Sequence, residues 1–181
     1  MTLVEQLRAM ARNNAWSNYR LHSACAQLAE REYRAERVSF FPSLPLTLSH
    51  ILTVDWYYLD ALERGGRGYA VFEKDEPFET LAELTAAQWD SDRRLIDVCN
   101  DLTSETVSST VILDRGAQGR FEEAAHAVLM HLFVHQIHHR GQAHAMLSGT
   151  SVKPPQLDEF FLAQDLPVRA EELRALALPQ S

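Results

Sequence analysis

Six of the eight histidines in this 181-residue chain fall between His126 and His144, and the densest stretch reads His131-Leu-Phe-Val-His135-Gln-Ile-His138-His139-Arg-Gly-Gln142. Imidazoles four residues apart on a helix stand side by side, with about 5–6 Å between their Cβ atoms, and can grip one transition metal together. His135 and His139 have that spacing. His131, His135 and His139 cannot all reach one ion from a straight helix, because the outer two lie about 12 Å apart along its axis. A third ligand must come from another segment. His50 is the natural candidate, since it lies inside a strongly apolar stretch and shares a face with Thr47, Val54 and Tyr57. Three neutral imidazoles leave one coordination position open, which is the arrangement of a catalytic rather than a structural site. Imidazole suits zinc, nickel, copper and iron alike, so ligand type does not name the ion.

Burying two unpartnered imidazoles is costly unless something coordinates or hydrogen-bonds them, which sets His135 and His139 apart. For His22, His126 and His144 the favoured reading is a hydrogen-bonded core histidine. His131 and His138 share a row with Ala124, Ala127, Val134, Gly141 and Ala145, small enough for a close helix or subunit contact. Familiar motifs are excluded in turn. His135-Gln136-Ile137-His138-His139 has the spacing of a zinc-protease helix, but glutamine stands where that chemistry needs a glutamate base. A di-iron centre needs two Glu-x-x-His pairs, and only Glu123-Ala-Ala-His126 fits. No glycine-rich nucleotide loop is present.

Four amphipathic segments must position these residues. Thr2-x-x-Glu5 reads as a capping box opening a helix whose seam is Leu3, Leu7, Met10, Asn14, Ser17, Leu21, Ala24 and Leu28. The second helix runs from Ser43, with Pro45 in its first turn, through His50 to Glu63. The third spans Phe78 to Leu102 with Thr80-x-x-Glu83 as its cap, and its seam carries Gln88 and Asp92 at mid-length. The fourth spans Phe121 to Leu147 and carries His135, His139 and Gln142 on its inward stripe. Thr106 to Leu113 is β-branched and alternating, followed by a turn at 114–119, so a short hairpin is expected between helices three and four. The expected fold is all-α, a four-helix bundle with long crossover connections around 29–43 and 64–78. One domain over 1–181 is expected, with its core at 2–149 and a tail, 150–181, carrying short helices at Leu157–Leu162 and Leu166–Leu176 laid across the bundle.

A formal charge of −8 without any basic cluster excludes a nucleic-acid surface. No window reaches the ~18–20 apolar residues of a membrane helix, and no secretory leader is evident, so a soluble, cytoplasmic protein is expected. Cys25 and Cys99 sit in apolar helical contexts and read as buried thiols in a reducing compartment.

Asn14-Ala-Trp-Ser-Asn-Tyr-Arg-Leu21, the histidine within Leu48-Ser-His50-Ile-Leu52, and His135-x-x-x-His139-Arg-Gly-Gln142 together resemble the DinB-like family of damage-inducible proteins, over roughly residues 5 to 150. The resemblance implies a four-helix bundle with crossovers, commonly a homodimer, binding one divalent ion (nickel, zinc or iron) through His50, His135 and His139. It also implies kinship with thiol-dependent transferases. The expected chemistry is metal-assisted activation of a thiol or water toward a small electrophile, with a low-molecular-weight thiol among the substrates. Asn14, Ser17, Gln88, Asp92 and Gln142 are the inward polar residues that either orient the histidines and line the pocket or hydrogen-bond each other and fix helix register. Asp92 is expected to take an imidazole N–H or Arg140 as its partner. Gly141, costly inside a helix, is expected to mark a close helix approach. A non-catalytic metal-binding stress protein and a metal-free helical adaptor are the competing readings.

Overall fold

The computed structural model describes residues 1–73 and 78–179. Helix α1, Leu3–Cys25, opens where the Thr2 side chain accepts the Glu5 N–H and Glu5 in turn accepts the Thr2 N–H, a reciprocal cap of about 1 kcal/mol. A single turn, α2 (Glu30–Tyr33), follows. Helix α3, Leu44–Leu62, starts at Ser43, which accepts the Leu46 N–H, with Pro45 in its first turn. Helix α4, Leu81–Asn100, carries the second reciprocal cap, Thr80 with Glu83. Helix α5 spans Ala125–Leu147 and α6 spans Leu166–Ala175. The fold is thus mostly helical, with both expected capping boxes formed.

The expected hairpin is present. Strand β1, Thr110–Asp114, pairs antiparallel with β2, Arg120–Ala124, Thr110 opposite Ala124 and Asp114 opposite Arg120. Its reversal uses Gly116 and Gly119, both at positive φ (60° and 99°), which glycine adopts without a Cβ penalty. Two boundaries differ from the sequence expectation. Thr106–Ser108 forms a 3-10 turn rather than the start of the strand. Phe121–Ala124, expected as the first turn of the last helix, is β2 instead, and Phe121 is exposed. The reason is the ladder: β1 turns Val111 and Leu113 into the core, and its backbone groups need a partner strand. Pairing extends to the Ala125 N–H, which donates to the Ser109 carbonyl, and α5 begins where the ladder runs out, without a side-chain cap.

The four long helices pack in a closed ring, α1 on α4, α4 on α3, α3 on α5 and α5 on α1. Consecutive helices α1 and α3 therefore face each other across a diagonal, as do α4 and α5. The chain crosses the diagonal at 26–43 and at 101–124, the latter carrying the hairpin. The connection around 64–78, expected as a crossover, instead joins neighbours α3 and α4; its residues 74–77 lie outside those described.

Two apolar clusters fill the ring. One gathers Leu7, Leu95, Leu129, Leu132 and Phe133 with Val111 and Leu113 of the hairpin. The other gathers Leu21, Leu48, Leu52, Leu84 and Leu147. Each fully buried leucine contributes about 1.5–3 kcal/mol. The tail seals Trp16, whose ring meets Phe160 and whose Nε1 donates to Glu172 at 2.6 Å. Leu157–Leu162, expected as a short helix, is irregular, whereas α6 forms. Cys25 and Cys99 are free and buried, and burial pushes both thiols up to about 12. Among the described residues no helix is long and apolar enough to cross a membrane.

Candidate metal centre

The contact between α3 and α5 brings His50, His135 and His139 together. His50 Nε2 lies 3.1 Å from His135 Nε2, and one ligand nitrogen from each of the three rings lies within 4.8 Å of the others. Two nitrogens bound at about 2.0–2.1 Å to a single ion stand about 3 Å apart, so the spacing fits a shared ion. A hydrogen bond could account for the first pair, but a proton cannot be shared three ways and the third imidazole would have no part in it.

The protonation states fit as well. Burial, reinforced by His139, pushes His50 down to about 4. Burial and the neighbouring histidines push His135 down to about 3. Burial also lowers His139, against its hydrogen bond to Gln142, which acts the other way. Three neutral rings near pH 7 leave three lone pairs available, as metal ligation requires. At His139 the tautomer is set by geometry: Nδ1 donates to Gln142 Oε1 at 2.8 Å, which leaves Nε2 with its lone pair. The Gln142 amide Nε2 donates in turn to His138 Nε2 at 3.2 Å. His135 Nδ1 is buried without a hydrogen-bond partner among the described residues. Phe41 packs on His50 at 4.3 Å and on His139 at 5.7 Å between ring centroids, covering one side of the cluster. A cavity of about 380 Å3 lies beside His135, walled by Tyr57, Tyr58, Tyr69 and Phe72, with Arg115 and His135 in its lining.

The remaining histidines stay outside the trio. His22 Nδ1 bonds Thr85 Oγ1, His126 Nδ1 bonds the Val107 carbonyl and His144 Nε2 bonds the Pro155 carbonyl. His131 is exposed, with its ring 5.3 Å from that of Tyr58. Gly141 has no neighbour within 4 Å of where a Cβ would stand, so no approach within this chain requires it.

Of the inward polar residues singled out in the sequence, Gln142 alone bonds a clustered histidine. Asn14, Gln88 and Asp92 belong to a separate buried network. Asp92 Oδ1 accepts from Asn14, Asn18 and Gln88 at 3.0, 2.9 and 3.3 Å. Asp55 accepts from Gln88 at 3.0 Å and from Gln136. Arg140 does not bond Asp92 directly; it donates to Asn14 (2.5 Å), Asn18 (3.1 Å) and Gln136 (2.8 Å). Burial raises Asp55 to about 6, and burial together with Asp55 raises Asp92 to about 8. Sequence reasoning missed Asp55, Asn18, Gln136 and the ring of Phe41. A carboxylate within the most apolar helix was the available signal for Asp55. Phe41 lies in a connecting segment and carried none.

Fold and site define a helical protein with a three-imidazole candidate metal centre. The chain belongs to the DinB family, whose sequence model matches residues 3–169. Its fold is similar to that of a DinB-like protein from Bacillus cereus, at a TM-score of 0.59 and 17% identity over 78% of this chain and 90% of that one. It is also similar to a DinB-like protein from Bacillus subtilis, at a TM-score of 0.59 and 16% identity over 82% and 96%. No curated protein matches the chain.

Proposed function

We propose that His50, His135 and His139 hold one divalent transition metal ion, and that the protein is a metal-dependent enzyme acting on small electrophiles as a thiol transferase or a hydrolase. The observation that carries this reading is the convergence of three neutral imidazoles from two helices within 4.8 Å. When bound, a nickel, zinc or iron ion would supply the positive charge that lets a thiol or water lose its proton near neutral pH. The chain does the rest. Gln142 holds His139 in the tautomer that presents Nε2. Phe41 keeps solvent off one side. The aromatic cavity beside His135 receives the electrophile, and Arg115 draws any anionic group toward the hairpin end.

The ring of helix contacts supports reading α1, α3, α4 and α5 as one four-helix bundle with two crossovers, in a single domain that includes the tail. A homodimer fits the exposed stripe of α5, where Met130, Val134 and Ile137 face outward beside Gly141. Metal analysis of the purified protein tests the site: near-stoichiometric metal, lost in His50→Ala and in His139→Ala, is expected. Retention of metal in both variants overturns it. Metal-dependent loss of a low-molecular-weight thiol in the presence of a model electrophile, or hydrolysis of that electrophile, tests the activity. Metal binding with neither reaction across a broad panel favours the passive metal-binding reading.

A further inference from the structure

A larger cavity, about 740 Å3, opens between α1 and α4 and shares no lining residue with the one beside His135. Its walls are apolar and aromatic, with Tyr19, Tyr33 and Trp89 among them, and α6 contributes Ala175. Its floor is the buried polar network, through Asn18, Gln88 and Asp92. We propose that this cavity binds a small lipophilic amine, whose ammonium group is held by Asp92 and Gln88 while its apolar body lies among the aromatic rings.

Three observations lead there. The volume falls in the range of about 300–1,000 Å3 typical of small-molecule pockets, which combine apolar walls with a few convergent polar groups. The acidic residues in the lining are Glu30 and Asp92, and among the described residues neither lysine nor arginine lines it. An anion would therefore meet no cationic side chain there, whereas a cation meets a carboxyl that can ionise to pair with it in a low-dielectric setting and aromatic faces that attract it further. Finally, Gln88 is 2% exposed and its Oε1 is buried with no hydrogen-bond partner among the described residues. Its Nε2 donates to Asp55 and Asp92, and the oxygen stands as an acceptor awaiting a donor. An ammonium offers three donors, enough to meet both Gln88 and Asp92; an alcohol offers one. Burial and Asp55 hold a proton on Asp92 in the empty site, and the ammonium takes that proton's place as it passes to solvent.

Titration calorimetry of the full chain with octylamine, 1-octanol and octanoate tests the proposal. Octylamine is expected to bind one to one and roughly tenfold or more tighter than octanol, about 1.4 kcal/mol, with octanoate giving no saturable binding. Asp92→Asn should bring octylamine down to the affinity of octanol. Ala86 lies exposed in the cavity lining, so Ala86→Trp obstructs the cavity without entering the core and should abolish binding of the amine in a folded protein. Octanoate binding as tightly as octylamine, no saturable amine binding, or amine binding untouched by Ala86→Trp each overturns the proposal.

Discussion

His50 and Asp55 lie on one helix, and His135 and His139 alternate with Gln136 and Arg140 on another, yet the two polar sets use their atoms in opposite ways. The network around Asp55, Asp92 and Arg140 is fully buried, and its carboxylates, amides and guanidinium are joined to one another across all four long helices. The histidine trio is less deeply buried, holds neutral rings, and gathers one ring nitrogen from each within 4.8 Å of the others. Extensive mutual bonding is the mark of a structural role, since a buried polar group without partners costs about 1–3 kcal/mol, and the exceptions in this network are Asp55 Oδ1 and Gln88 Oε1, the latter residue lining the larger cavity. Ligand atoms clustered beside a cavity are the mark of a site.

The largest effect should come from removing the cation of the buried set. Arg140→Met leaves Asn14, Asn18 and Gln136 without their donor beside two carboxyls and should cost about 3–5 kcal/mol in urea unfolding. His50→Ala, measured in metal-free protein, should cost about 1 kcal/mol or less. Equal costs would erase the distinction between the two regions. Next in size, Gln142→Ala should weaken metal binding by about 10–100-fold in a chelator competition while leaving the unfolding midpoint of metal-free protein in place.

A third test uses proton uptake. Asp92 titrates near 8 when folded against 3.8 when unfolded, so across that window the folded chain holds the extra proton and stability falls as pH rises. Asp55, raised to about 6, completes its share lower in the window. His22, His50, His135 and His139, all shifted down, act in the opposite sense, but only below their ordinary value of 6.5. Between pH 6.5 and 8 the protein should therefore lose up to about 2 kcal/mol, and Asp92→Asn should flatten that slope. A wild-type profile flat over this range would mean that the carboxyl is better solvated than its burial implies. The smallest effect concerns the exposed face of α5. Gly141→Ala should stabilise the chain by about 1 kcal/mol at concentrations too low for association, because nothing within the chain opposes a Cβ there.

The helices were legible because their signals are local. Thr2 with Glu5, Ser43 with Pro45, and Thr80 with Glu83 each mark a helix start from residues three positions apart or fewer. The start of α5 was not, because strand pairing with β1 decides it and no cap residue announces it. At the site, the i, i+4 pair His135 and His139 follows from helix periodicity, and His50 followed from its placement in an apolar helix. Asp92 shows the limit of that reasoning. An inward polar residue looks the same in sequence whether it faces a histidine or an amide, and here it faces Asn14, Asn18 and Gln88.

What the amino-acid order determined alone is therefore periodic and short-range: four long helices, the caps of the first three, the hairpin, and a histidine pair held on one stripe by 3.6 residues per turn. Tertiary structure decided which helices face each other across the ring, that His50 meets His135 at 3.1 Å, and that the buried carboxyls bond amides of other helices rather than the imidazoles. Those outcomes depend on how ridges and side-chain volumes of distant segments interlock, and such packing has no signature within any single stretch of chain.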